Sequence, residues 1–105
     1  MAGCEGHCVG IGYSNFFVRG KCPTPCDDAQ YGKVDPKIGQ GIAKEDANAR
    51  CKERSKNDEC VCHGGEYKEL KRQCVPSFAV VDGVVVEQCE YQIWFQYEGN
   101  CSKPS

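Results

Sequence analysis

The chain has 105 residues, with 13 basic side chains against 15 acidic ones and ten cysteines. A net charge of −2 offers no field for drawing in nucleic acid or an anionic membrane surface. No run of about 18 apolar residues is present to span a bilayer, so neither a nucleic-acid partner nor membrane insertion is expected.

Cys4, Cys8, Cys22, Cys26, Cys51, Cys60, Cys62, Cys74, Cys89 and Cys101 are even in number and dense along the chain. That pattern reads as a disulfide framework, which persists in secreted, periplasmic or otherwise oxidising compartments. The competing class, a reduced metal protein, normally shows paired Cys and His knuckles. Here the cysteines spread over the whole chain and His7 and His63 are the only histidines. By length residues 1–105 form one small domain, in which cross-links of about 2–4 kcal/mol each supplement a modest core. Sequence does not choose among the connectivities.

No apolar leader follows Met1, so a secretion signal is expected to have been removed and Met1 to be an expression start. Ala2-Gly3-Cys4 also reads as the remnant of a lipoprotein processing site, with Cys4 as the acylated residue. Parity opposes this, because it leaves an odd number of thiols in a secreted chain.

Residues 1–41 hold most of the glycines, which favours a loop-rich N-terminal lobe. Within it, Gly12 to Gly20 is glycine-bounded and aromatic-rich and predicts a strand. Cys26 to Gly41 reads as a loop pinned at its start by a bridge. The pairs Cys4/Cys8 and Cys22/Cys26, thirteen residues apart, have a spacing similar to the twin Cys-x3-Cys of small mitochondrial intermembrane-space chaperones and helical-hairpin defence peptides. That resemblance implies both pairs on helices, whereas Pro23 and Pro25 and the glycines around the first pair oppose helix. The two pairs are therefore read only as staples of a compact lobe.

Ile42 to Lys56 is the predicted helix. Ala43, Ala47 and Cys51 recur every four residues, acids come early and bases late, and Asn57 is positioned to end it in the left-handed conformation. The small stripe suits close approach to a sheet. Glu59 to Cys62 reads as a short strand, Gly64-Gly65 as a turn, and Glu66 to Cys74 as a further strand.

Phe78 to Val81 and Val84 to Val86 flank Asp82-Gly83, the pair that a two-residue hairpin turn requires. Beyond it Cys89, Tyr91, Ile93, Phe95 and Tyr97 alternate with Glu90, Gln92, Trp94, Gln96 and Glu98, giving one buried and one wet face. Over Val84 to Gln88 both parities are apolar, which predicts either two covered faces or a bulge. The expected fold is α+β: one helix packed on a twisted antiparallel sheet over 42–105, with a C-terminal hairpin and the N-terminal lobe.

Trp94 interrupts the polar face and is a candidate anchor for a protein interface. Tyr13, Phe16, Phe17 and Arg19 form a second candidate patch. His7 or His63 with a carboxylate and Arg19 or Arg72 could serve a small hydrolase or ribonuclease, but neither histidine lies in a nucleophile or metal motif. Cys60-x-Cys62-His63 could hold a soft metal only if further ligands converged, and Asn100-Cys101-Ser102 matches a glycosylation sequon. The expectation is a secreted or periplasmic module that acts by occupying another protein, with no catalytic, cofactor or metal residues assigned. A small secreted enzyme and a structural extracellular component are the alternatives.

Overall fold

A computed structural model describes residues 3, 4 and 6–103. The elements run β1 (Cys8–Arg19), a short 3-10 helix (Asp28–Lys33), α1 (Pro36–Ser55), β2 (Val61–Val81) and β3 (Val84–Ser102). The three strands form one antiparallel sheet in the order β1-β3-β2. β3 is central because it alone offers a long alternating strand with an apolar face. Cys89, Tyr91, Ile93, Phe95, Tyr97 and Cys101 are buried on the side that α1 covers.

α1 lies close on β1 because glycines on both elements let the two backbones approach. A Cβ added at Gly10 would fall on the Ala43 carbonyl and the Ala47 amide, and one at Gly12 would come within 2.5 Å of the Ala43 nitrogen. From the helix side, a Cβ at Gly39 would meet the Ser14 nitrogen at 2.6 Å. Ser14, buried in the seam, accepts a 2.6 Å hydrogen bond from the Gly39 amide. Asp46 accepts from the Ile11 amide at 2.9 Å, which caps an outward donor on the β1 edge. The far half of the same sheet face is covered by the segment between β1 and α1, where Tyr31 meets Tyr91 edge to face at 5.1 Å.

Several elements depart from the sequence reading. α1 begins at Pro36 rather than Ile42, with Asp35 as N-cap accepting from the Lys37 amide at 3.0 Å. Gly39 and Gly41 depress local helix propensity, but Gly39 is the residue that permits contact with β1. The left-handed terminating residue is Lys56, at φ 52°, one place before Asn57. Gly64-Gly65 is not a turn: both lie inside β2, at a register shift between His63 and Glu66. β1 starts at Cys8 and is an edge of the sheet, so the lobe 1–41 and the sheet region 42–105 share one structure. Met1 and Ala2, on which the leader and lipoprotein readings depend, lie outside the described residues.

Five disulfides link Cys4–Cys60, Cys8–Cys62, Cys22–Cys89, Cys26–Cys74 and Cys51–Cys101. Cys4 Sγ, the atom that acylation would need, is bonded to Cys60. The bridges to Cys60, Cys62 and Cys101 gather the N-terminal segment, both edge strands and α1 at one end of the sheet. The other two fasten the segment after β1 to β3 and β2. This small disulfide-rich domain, with no helix long and apolar enough to cross a membrane among the described residues, fits an oxidising extracellular or periplasmic setting.

At the opposite end β2 and β3 continue alone. β1 stops at Arg19, opposite Gln88, and the Gly20 amide donates to the Glu87 carbonyl at 3.0 Å. Beyond that point a two-stranded arm runs to the Asp82-Gly83 turn, whose positive φ values of 51° and 78° match the expected hairpin. In the arm both apolar parities face solvent: Phe78, Val80, Val84 and Val85 are 66%, 71%, 61% and 65% exposed. Among the described residues neither second cover nor bulge is present there; the register shifts lie at His63/Glu66 and Glu69/Lys71.

Candidate functional site: an uncovered aromatic sheet face

Odd-numbered β1 residues and even-numbered β3 residues point away from α1, because Gly10 and Gly12 face the helix and pair with Tyr97 and Phe95. Tyr13 and Trp94 are direct partners across β1 and β3, and their rings stack with centroids 4.5 Å apart and an interplanar angle of 24°. The bulge between Glu69 and Lys71 sets Lys71 opposite Trp94. Its ammonium lies 5.1 Å from the Trp94 ring centroid, a cation–π contact that completes a three-strand cluster.

A polar row holds the cluster from beneath. Gln92 Oε1 accepts from Trp94 Nε1 at 2.9 Å and from Gln73 Nε2 at 2.6 Å, while Asn15 Nδ2 donates to Glu90 at 2.9 Å. Gln92 is buried although it belongs to the outward parity, because its neighbours and their hydrogen bonds cover it. The indole is thereby fixed in orientation with its N–H satisfied, and one ring face is given to Tyr13. Trp94 and Tyr13 are half-buried, and Ile11 and Phe17 flank them in the open.

The structure divides the second sequence-derived patch. Tyr13, Phe17 and Arg19 share the face of Trp94, whereas Phe16 points to the helix side, packs against the core and has the Lys33 ammonium 5.6 Å above its ring. Lys71 and Gln92 were missed, since only the bulged register brings Lys71 to Trp94. The strict alternation around Gln92 was the one available signal for its place in the row.

The histidines lie apart from this face's aromatic cluster. His7 Nε2 stands 3.1 Å from Glu98 Oε1, both side chains more than half exposed. His7 also borders a cleft of about 590 Å³ with Arg50, Glu53, Arg54 and Lys56. The Arg54 guanidinium donates to the His7 carbonyl, and Arg50 is paired with Asp46 at 3.1 Å. The residues lining the cleft include no hydroxyl, and the sulfur of Cys8 is bridged. His63 Nε2 meets Ser102 Oγ at 2.6 Å on the exposed surface.

Two sulfur groups, Cys4/Cys60/Cys101 and Cys22/Cys74/Cys89, each lie within 4.8 Å of one another. Each joins one disulfide to the near sulfur of another, so the atoms of Cys60 and Cys62 are committed to bridges in the oxidised protein. Asn100, the sequon residue, is exposed next to bridged Cys101. No protein-family model, curated protein or solved structure matches the chain.

Proposed function

We propose that this protein is a secreted or periplasmic binding module that occupies another protein through the sheet face centred on Tyr13, Trp94 and Lys71. The observation carrying this reading is the oriented, half-buried Tyr13–Trp94 stack with the Lys71 cation over the indole ring, on a face left uncovered by α1. Interfaces concentrate their energy in such rigid aromatic anchors. A cross-linked sheet holds them in place before contact, which lowers the ordering cost of association. Phe17 and Arg19 extend the surface along β1 as an aromatic and cationic margin.

The test uses partners captured on the immobilised oxidised protein from the medium in which it is released. Trp94→Ala is expected to weaken a captured partner about 30-fold, as removal of an interface anchor does, while Ile38→Ala on the exposed helix surface leaves binding unchanged. Equal binding by Trp94→Ala with the fold intact rules this surface out.

The His7–Glu98 contact beside Arg50, Arg54 and Lys56 favours a second reading, a small hydrolase or ribonuclease in which the pair moves protons. It ranks lower because both side chains are solvated and the two guanidiniums are already engaged. RNA turnover abolished by His7→Ala, in protein still cross-linked, would raise it above the binding reading.

A further inference from the structure

We propose that the arm at the end of β2 and β3 is a self-association device that pairs with the arm of a second copy along the β2 edge. Because the Gly20 amide bonds to Glu87, the Glu87 backbone faces β1, and its partner Phe78 faces the outer edge of β2. By the same alternation Val80 faces outward, while Ala79 and Val81 bond inward to Val86 and Val84. Among the described residues nothing pairs with the outward groups of Phe78 and Val80. This free ladder is bounded by Pro76, which has no donor, and by the Asp82-Gly83 turn.

So short a window is complementary to itself. With a two-fold axis at Ala79, Phe78 of one copy faces Val80 of the other, and each such pair exchanges two N–H···O=C bonds. Ala79 meets its symmetry mate at the axis, where strands approach closest and a small side chain fits. On one face Phe78 and Val80 join Val85 across four strands, and on the other Val81 and Val84 extend a second apolar surface.

Charge supports a second copy over other occupants. The arm's only ionisable groups are Asp82 and Glu87, and in this register Asp82 falls opposite Pro76, so no like charges meet. The β2 edge carries no lysine over 77–81, the usual deterrent to edge pairing. A lipid surface is disfavoured because Asp82 sits at the tip that would enter it. The paired area, limited to a few side chains per copy, lies at the low end of interface sizes and predicts a weak, concentration-dependent dimer.

Sedimentation equilibrium on the oxidised full chain over a wide concentration range tests this. A monomer–dimer equilibrium is expected. Val80→Pro removes only an outward donor and leaves the hairpin ladder intact; with Val80→Lys, it should weaken the dimer about tenfold or more. Retained near-ultraviolet dichroism and an unchanged disulfide map show that each variant is folded. A chain that stays monomeric at all concentrations, a dimer insensitive to both variants, or assembly beyond dimers overturns the proposal. Monomer that co-sediments with phosphatidylcholine/phosphatidylglycerol vesicles overturns it in favour of a lipid surface.

Discussion

The body of the molecule and its arm are built from the same kind of β-forming sequence yet reach opposite ends of the burial scale. In the body, β3 buries Tyr91, Ile93, Phe95 and Tyr97 under α1 and the segment before it, and five disulfides converge on that packing. In the arm, Phe78, Val80, Val84 and Val85 are exposed on a two-stranded ribbon that carries neither helix nor bridge. Valine-rich strands therefore do not by themselves define a core. What separates the regions is cover, and cover depends on where the Gly10, Gly12 and Gly39 seam lets the helix lie and where the bridges fasten the chain. The body is a frame, and the open aromatic face and the arm are what it presents.

The sharpest way to break this contrast is to remove a bridge from the body. Replacing Cys51 and Cys101 together by Ala releases α1 from β3, and the loss of unfolding free energy in guanidinium titration is expected to be about 4 kcal/mol for a loop of this length. A loss below about 1 kcal/mol would mean that the seam holds the helix without its tether. Next in size, Gly12→Val drives side-chain atoms into the α1 backbone and should cost on the order of 3 kcal/mol. The same titration reads it, and a neutral result would remove the seam from the account.

Asp35→Ala deletes the N-cap of α1 and is expected to lower stability by about 1 kcal/mol. The arm supplies the contrasting case: Val85→Ala should change stability by no more than about 0.5 kcal/mol, since the side chain is already in water. A loss of 2 kcal/mol or more there would show the arm to be structural.

A pH effect separates the covered face from the open one. Burial pushes the Tyr31 phenol above its ordinary value of 10, with further upward contributions from Tyr91 and Asp28 outweighing the opposing Arg72 cation. The fold favours the neutral phenol, so the stability it contributes is complete below pH 10 and falls as pH rises through the raised value, because the unfolded chain ionises first. Tyr31→Phe should flatten that alkaline decline in denaturation experiments from pH 9 upward.

Much of this division was legible in the residues. Alternation through Cys89 to Tyr97 marked the buried face of β3, Asp82-Gly83 marked the turn, and the Ala43/Ala47/Cys51 stripe marked the helix face that meets the sheet. The first turns of α1 were hidden because Gly39 and Gly41 read as helix breakers, whereas Gly39 exists for contact with a strand far away in sequence. Gly64-Gly65 read as a turn because a bulge inside a long strand uses the same residue type. At the candidate site Trp94 and Tyr13 were visible singly, but their stacking depends on strand register, and Lys71 reaches them only through a bulge. The arm's valines carried no sign that both faces would remain open, since exposure depends on where β1 ends.

Residue-resolved amide hydrogen exchange on the dilute oxidised protein tests most directly whether a rigid frame presents uncovered surfaces. The amides of β1 that face β3, at Gly10, Gly12, Ser14, Phe16 and Val18, and those of α1 and the β3 segment from Cys89 to Cys101 are expected to exchange only through global opening, while the outward amides of Phe78, Val80 and Val85 exchange close to unprotected rates. Slow exchange at Phe78 and Val80 in dilute monomer, or exchange at the β3-facing amides of β1 as fast as in the arm, would contradict this picture.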